Sequence, residues 1–152
     1  EHILLIKQAK DWKTGQMAWK LAKSPANFDS AAGIDYTVDV TRPYGERVNI
    51  LSMADGRAFE MDKMYTVGIT SYRASGAGGL LKAAGLLSAE DVEARTLFKG
   101  PEFRTILYEY FLKNGSIDPE VTGKKELVGR WKFVPEGVSE GIVKDVELLY
   151  GK

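Results

Sequence analysis

Apolar and polar residues alternate over Ile34-Asp35-Tyr36-Thr37-Val38-Asp39-Val40-Thr41, the pattern of a half-buried strand with one wet face. A second strand is expected over Val48, Ile50 and Met53. A third is expected from Met64 to Ser71, where Tyr65, Val67 and Ile69 alternate with smaller or polar residues. Pro43 to Glu46 reads as a turn, and Asp55-Gly56 as a hairpin-type turn. Ile3 to Ile6 is a short apolar run with the character of a buried strand. Lys7 to Lys23 carries Trp12 and Trp19 among lysines, with Gly15 between them, and reads as a loop or an irregular hairpin.

The period changes in the second half. Ser88-Ala89-Glu90-Asp91 has capping-box spacing, with Ser88 placed to cap the amide of Asp91. Pro101 suits the first position of a helix in which Phe103, Ile106, Leu107, Tyr110 and Phe111 form one apolar face. Asn114-Gly115 ends it with residues that tolerate the left-handed conformation. That face needs cover, and a sheet built from residues 34–40, 48–53 and 64–71 is the expected partner. Trp131-Lys132-Phe133-Val134 reads as a last short strand. Pro135 then starts a final helix with Ile142, Val143, Val146, Leu149 and Tyr150 on one side. Strands first and helices later define an α+β fold, one domain over residues 1–152 with a mixed or antiparallel sheet packed by helices. No internal repeat, low-complexity tract or linker divides it.

Composition narrows the function. A chain of 152 residues is long enough to bury a real core. With 21 basic and 21 acidic side chains, no net field attracts a nucleic acid polymer. No cysteine is present, which excludes disulfides and thiolate metal sites. No apolar run approaches the roughly 20 residues that span a bilayer, and no signal peptide is visible. The one histidine, His2, stands at the start of the chain and leaves no cluster for a metal or an acid–base centre. Asp35 and Asp39, at i and i+4, read either as paired carboxylates or as a solvated strand face. Ser71 and Ser75 have no histidine to act as base. The chain alone is therefore expected to be inactive.

The informative stretch is Thr66-Val67-Gly68-Ile69-Thr70-Ser71-Tyr72-Arg73-Ala74-Ser75-Gly76-Ala77-Gly78-Gly79. Tyr72 falls out of phase with the strand, on its other face or just beyond its end. A flat ring, a fixed cation and exposed backbone N–H groups suit a ligand with a planar base and anionic groups. The alternative is a core tyrosine followed by a flexible turn. The glycines lack P-loop spacing, although a nest of amides there can hold an anion. Arg73 reads as a phosphate or base contact, or as half of a structural ion pair. Phe28 reads as core or as pocket lining. Gly76 and Gly78 read chiefly as the residues that give the loop its path.

Asn27-Phe28-Asp29-Ser30-Ala31-Ala32-Gly33-Ile34-Asp35-Tyr36-Thr37-Val38-Asp39-Val40-Thr41-Arg42-Pro43 resembles the C-terminal domain of bacterial 5'-nucleotidases, in the branch that contains 2',3'-cyclic-nucleotide 2'-phosphodiesterases. Gly45-Glu46-Arg47-Val48-Asn49-Ile50, Asp55-Gly56 and Tyr65-Thr66-Val67 follow in the same order. Ser71-Tyr72-Arg73-Ala74-Ser75-Gly76 is similar to the family's Asn-(Phe/Tyr)-Arg-Ala-x-Gly element, with serine in place of asparagine. Trp131-Lys132-Phe133 resembles its closing strand, so the likeness runs from about residue 3 to 134. Residues 135–152 extend past it as an extra C-terminal docking helix.

The resemblance implies a nucleotide-recognition domain of a nucleotide phosphohydrolase involved in nucleotide catabolism. Its partners would be a nucleotide or nucleoside and an N-terminal metallophosphatase domain or chain, extracytoplasmic in the periplasm or at the cell surface. Two divalent metals are implied in that other domain, and no cofactor, metal ligand or catalytic residue in this chain. Tyr72 matches one of two aromatics that sandwich the base, with Arg73, Phe28 and Gly76 as further substrate-binding candidates. The earlier Pro-Phe-Gly-Asn-like motif is not found, so Glu1 is expected to lie partway into the domain. Gly78 stands where some members carry an aspartate that meets the ribose, and Ala77 separates glycines that are usually adjacent. The alternative is a stand-alone binding or interaction module without hydrolase activity.

Overall fold

The computed structural model describes residues 6–21, 28–85, 88–118, 120 and 129–151. His2, most of the first expected strand (residues 3–5) and Asn27 lie outside these. The fold is α+β, and the chain forms two compact units, residues 1–61 with 123–152, and residues 62–122.

Among the described residues the first unit holds all the strands. β1 (Ile6–Lys10) and β2 (Met17–Leu21) pair antiparallel, with Ile6 opposite Leu21 and Lys10 opposite Met17. The tryptophan-containing segment is thus a regular hairpin. Its turn is held by the Asp11 carboxylate, which accepts the amides of Lys13 and Thr14 at 2.9 Å each. Gly15 (φ 73°) closes the turn in a conformation that disfavours other residues.

A three-stranded sheet follows, in the order β4-β3-β5. β3 (Ile34–Asp39) is central, β4 (Val48–Met53) is antiparallel to it, and β5 (Trp131–Val134) is parallel. The amide of Glu46 donates to the Pro43 carbonyl at 3.1 Å, closing the expected turn between β3 and β4. Asp55-Gly56 also turns, with the Met53 amide donating to Arg57 O at 2.9 Å, but it follows β4 and joins no second strand.

Period-2 alternation divides this sheet into two faces. On the apolar face Tyr36 stacks on Trp131, centroids 5.8 Å apart and planes 12° apart, and Trp131 meets Phe133 edge-on at 5.1 Å. Tyr36 is only 7% exposed, and its hydroxyl accepts the Ala31 amide at 3.1 Å. Phe28 lies 5.8 Å from the Trp131 ring and 6.4 Å from the Phe133 ring, yet it is 58% exposed. The expectation of Phe28 as a core residue is corrected. It precedes β3 outside any ladder and borders the aromatic cluster.

On the polar face Arg130 forks onto Asp35, Nε to Oδ1 and Nη2 to Oδ2, each at 2.7 Å, and the Ser52 hydroxyl donates to Oδ2 at 3.2 Å. Asp39 instead accepts Thr41 N and Oγ1 at 3.0 and 2.6 Å. Each aspartate has its own partners, so Asp35 and Asp39 are not a working carboxylate pair. A final helix, Val138–Tyr150, lies against β2 and β5. It starts after Gly137 (φ 89°) rather than at Pro135, and Asp145 within it is buried at 4% exposure. Ile142 and Leu149 are half-buried, while Val143, Val146 and Tyr150 are exposed, so the expected stripe is covered only in part.

The second unit is helical among its described residues: α1 (Ser71–Ala74), a 3-10 turn (Ala77–Gly79), α2 (Leu80–Ala83), α3 (Ala89–Arg95) and α4 (Phe103–Asn114). The strand expected over residues 64–71 is not formed. Alternation supplies two faces, but a strand also needs a hydrogen-bonding neighbour, and no described residue of this unit supplies one. The third place in the sheet is taken by β5. The capping box of α3 forms as expected, Ser88 Oγ accepting Asp91 N at 3.0 Å and Asp91 Oδ2 accepting Ser88 N at 3.2 Å. α4 ends at Gly115 (φ 75°), but its N-cap is Glu102, so Pro101 stands just outside it. Phe103 and Ile106 are exposed and Leu107 is half-buried. The expected burial of this helical face against a sheet is therefore corrected. No helix among the described residues is long and apolar enough to cross a membrane.

Candidate functional site

The second unit brings Tyr72, Arg73 and Gly76 together on one short turn. Thr70 initiates it, its Oγ1 accepting the Arg73 amide at 3.3 Å as the N-cap of α1. Ser75 ends it by donating its hydroxyl to the Tyr72 carbonyl at 2.7 Å. Gly76 follows at φ 88° and Gly78 at φ 76°, conformations that cost a side-chain-bearing residue free energy and let the chain reverse. These glycines shape the loop, as the sequence indicated. Tyr72 sits in the first turn of a helix rather than at a strand end.

Tyr72 is 61% exposed, which removes the core-tyrosine reading. Arg73 is its inverse: only 8% exposed, with Nη1 donating to Ala77 O at 3.2 Å. Its guanidinium carbon lies 5.3 Å from the Tyr72 ring centroid, within cation–π range. Arg73 thus ties the two ends of the turn together and backs the aromatic ring. Phe28, the fourth candidate, belongs to the aromatic cluster of the first unit.

The first unit carries a feature that sequence reasoning missed. An open groove of about 400 Å³ is lined by Asp35, Thr37, Ser52, Arg130 and Lys132, with Trp131 and Leu51 beside them. The Arg130 guanidinium holds the Asp35 carboxyl below the ordinary 3.8, with the Ser52 hydroxyl adding to the effect. No local signal marks Arg130, because its partner is 95 residues away. Among the described residues no group of three or more His, Cys, Asp or Glu side chains is placed to hold a metal ion.

The α+β fold thus carries an exposed aromatic on a capped, glycine-shaped turn, with a buried arginine behind it. The family model for the 5'-nucleotidase C-terminal domain matches residues 4–85, a span that contains both Phe28 and the Tyr72 turn. The chain belongs to that family, which is generally the substrate-binding part of a nucleotidase whose catalytic domain is N-terminal. No curated protein and no solved structure matches the chain.

Proposed function

We propose that this chain is the nucleotide-recognition part of a 5'-nucleotidase-type phosphohydrolase of nucleotide catabolism, with Tyr72 as the surface on which the base stacks. The carrying observation is the exposed Tyr72 ring, fixed on Arg73 within the family-matched span. Stacking on one aromatic is worth about 1–3 kcal/mol and tolerates different bases. Hydrolysis belongs to a metallophosphatase domain with two divalent metals, in an extracytoplasmic setting, as in the family. In this division of labour the chain binds and orients, and the phosphoester is cleaved elsewhere.

The test is ligand-induced stabilisation. A ligand that binds only the folded state raises the melting temperature by mass action. Adenosine, AMP, GMP, UMP and 2',3'-cyclic AMP at millimolar concentration are expected to raise it, and Tyr72→Ala to abolish the rise. If none does, or if Tyr72→Ala responds like the parent chain, the reading is wrong.

A further inference from the structure

The β1–β2 hairpin ends in a tip that the nucleotide reading does not use. Residues 12 to 18 are all exposed, so the turn stands out into solvent. Trp12 is 83% exposed and Met17 63%. Two large apolar side chains this close together on a turn add little to the core, and such a patch marks a contact site.

The charge around them has one sign. Residues 6–21 hold four lysines (Lys7, Lys10, Lys13 and Lys20) against one carboxylate, Asp11. That carboxylate is already engaged. Its Oδ1 accepts the Lys13 and Thr14 amides, and its Oδ2 lies 3.0 Å from Lys20 Nζ. Lys7 stands directly across the ladder from Lys20, a like-charge juxtaposition that costs stability. Among the described residues no carboxylate pairs with Lys10 or Lys13. Both reach the turn: Lys13 Nζ is 5.1 Å from the Trp12 ring centre, and Lys10 Cε is 3.9 Å from where a Cβ on Gly15 would stand. The zero net charge of the chain conceals this local surplus.

A tryptophan beside flexible ammonium groups suits the headgroup level of a bilayer, where the ring meets the acyl boundary and the cations meet lipid phosphates. A protruding tip enters a deformable lipid surface directly, whereas a protein partner must supply a matching cavity. We propose that the β1–β2 tip is a peripheral docking site for an anionic lipid surface, with Trp12 and Met17 entering the interface and Lys10 and Lys13 meeting the phosphates. It uses no residue of the Tyr72 turn and does not depend on the base-stacking reading.

The test is co-sedimentation of the full chain with vesicles of phosphatidylglycerol and phosphatidylcholine in equal parts, and of phosphatidylcholine alone. Binding to the anionic vesicles is expected to be at least about tenfold tighter and to weaken as salt is raised. Lys10→Gln with Lys13→Gln should weaken it by about thirtyfold, roughly fivefold per charge. Trp12→Ala should weaken it by about tenfold or more. Trp12→Phe should still bind but lose the blue shift of tryptophan emission on vesicle addition, which separates Trp12 from Trp19 and Trp131. All these positions are exposed, and a far-UV circular dichroism melt checks each fold; if Trp12→Ala does not fold, Trp12→Phe and the lysine pair carry the test. No binding to anionic vesicles, equal binding to neutral ones, or a lysine variant that binds like the parent overturns the proposal. Binding to polyglutamate through the same lysines, without binding to vesicles, assigns the tip to an acidic protein and overturns it as well.

Discussion

Truncating Tyr36 to alanine removes the best-buried aromatic of the first unit, and Tyr72→Ala removes the same side chain from an exposed position. A tyrosine carries roughly 200 Å² of side-chain surface. At 7% exposure Tyr36 keeps nearly all of that from water. At about 25 cal/mol per Å² this is near 5 kcal/mol as an upper estimate, in line with about 3–5 kcal/mol for large aromatic truncations. Tyr72, 61% exposed, withholds about two fifths of its surface, so its truncation costs about 2 kcal/mol at most. All three tryptophans (Trp12, Trp19 and Trp131) lie in the unit that holds Tyr36, so tryptophan fluorescence in urea follows that unit. Tyr36→Ala is expected to lower its unfolding free energy by about 3–5 kcal/mol without changing nucleotide affinity. Tyr36→Phe should cost about 1 kcal/mol, because only the bond from the Ala31 amide is lost. Tyr72→Ala should weaken nucleotide binding by about 1–3 kcal/mol, and Tyr72→Phe much less, since its π-face survives. Two results would refute the reasoning: a Tyr36→Ala cost under about 1 kcal/mol, or a Tyr72→Ala chain that loses stability heavily but binds as before.

Further expectations concern pH, backbone and chemistry. The folded Asp35 carboxyl titrates below its ordinary 3.8, because Arg130 and Ser52 stabilise the anion. Its contribution is therefore present above about pH 3.8 and fades as pH falls through the lower folded value, and acid unfolding should be less steep in Asp35→Asn. Asp11 follows the same sign, with a folded value of about 2 set first by the Thr14 amide and then by Lys20. Gly76→Ala, at φ 88°, should lose about 1–3 kcal/mol locally and bind nucleotide more weakly, which a melt and a titration measure together. Ser88→Ala should reduce stability by about 1 kcal/mol through loss of the α3 cap, read by urea unfolding followed by far-UV circular dichroism. Nucleotide incubated with the purified chain and magnesium, manganese, zinc or cobalt should release no phosphate; turnover stopped by a chelator would overturn that expectation.

Local chemistry alone determined several elements. Alternation defined β3 and β4, the serine–aspartate spacing the cap of α3, the Asn114-Gly115 pair the end of α4, and the glycines the reversal after Tyr72. The order of motifs also marks the family. Each of these depends on residues a few positions apart, and their energetics are contained in that window. What the tertiary structure decided depends on partners far along the chain. The residues before Tyr72 alternate like a strand but pair with no neighbour among the described residues, and Tyr72 stands in a helix instead. β5 joins β3 in parallel, and Arg130 reaches Asp35 across 95 residues, neither of which a local pattern can announce. Burial followed the same rule. Phe28 and Phe103 are as apolar as any core residue, yet both are exposed. Hydrophobicity says what a side chain favours, and only the packed fold decides what covers it.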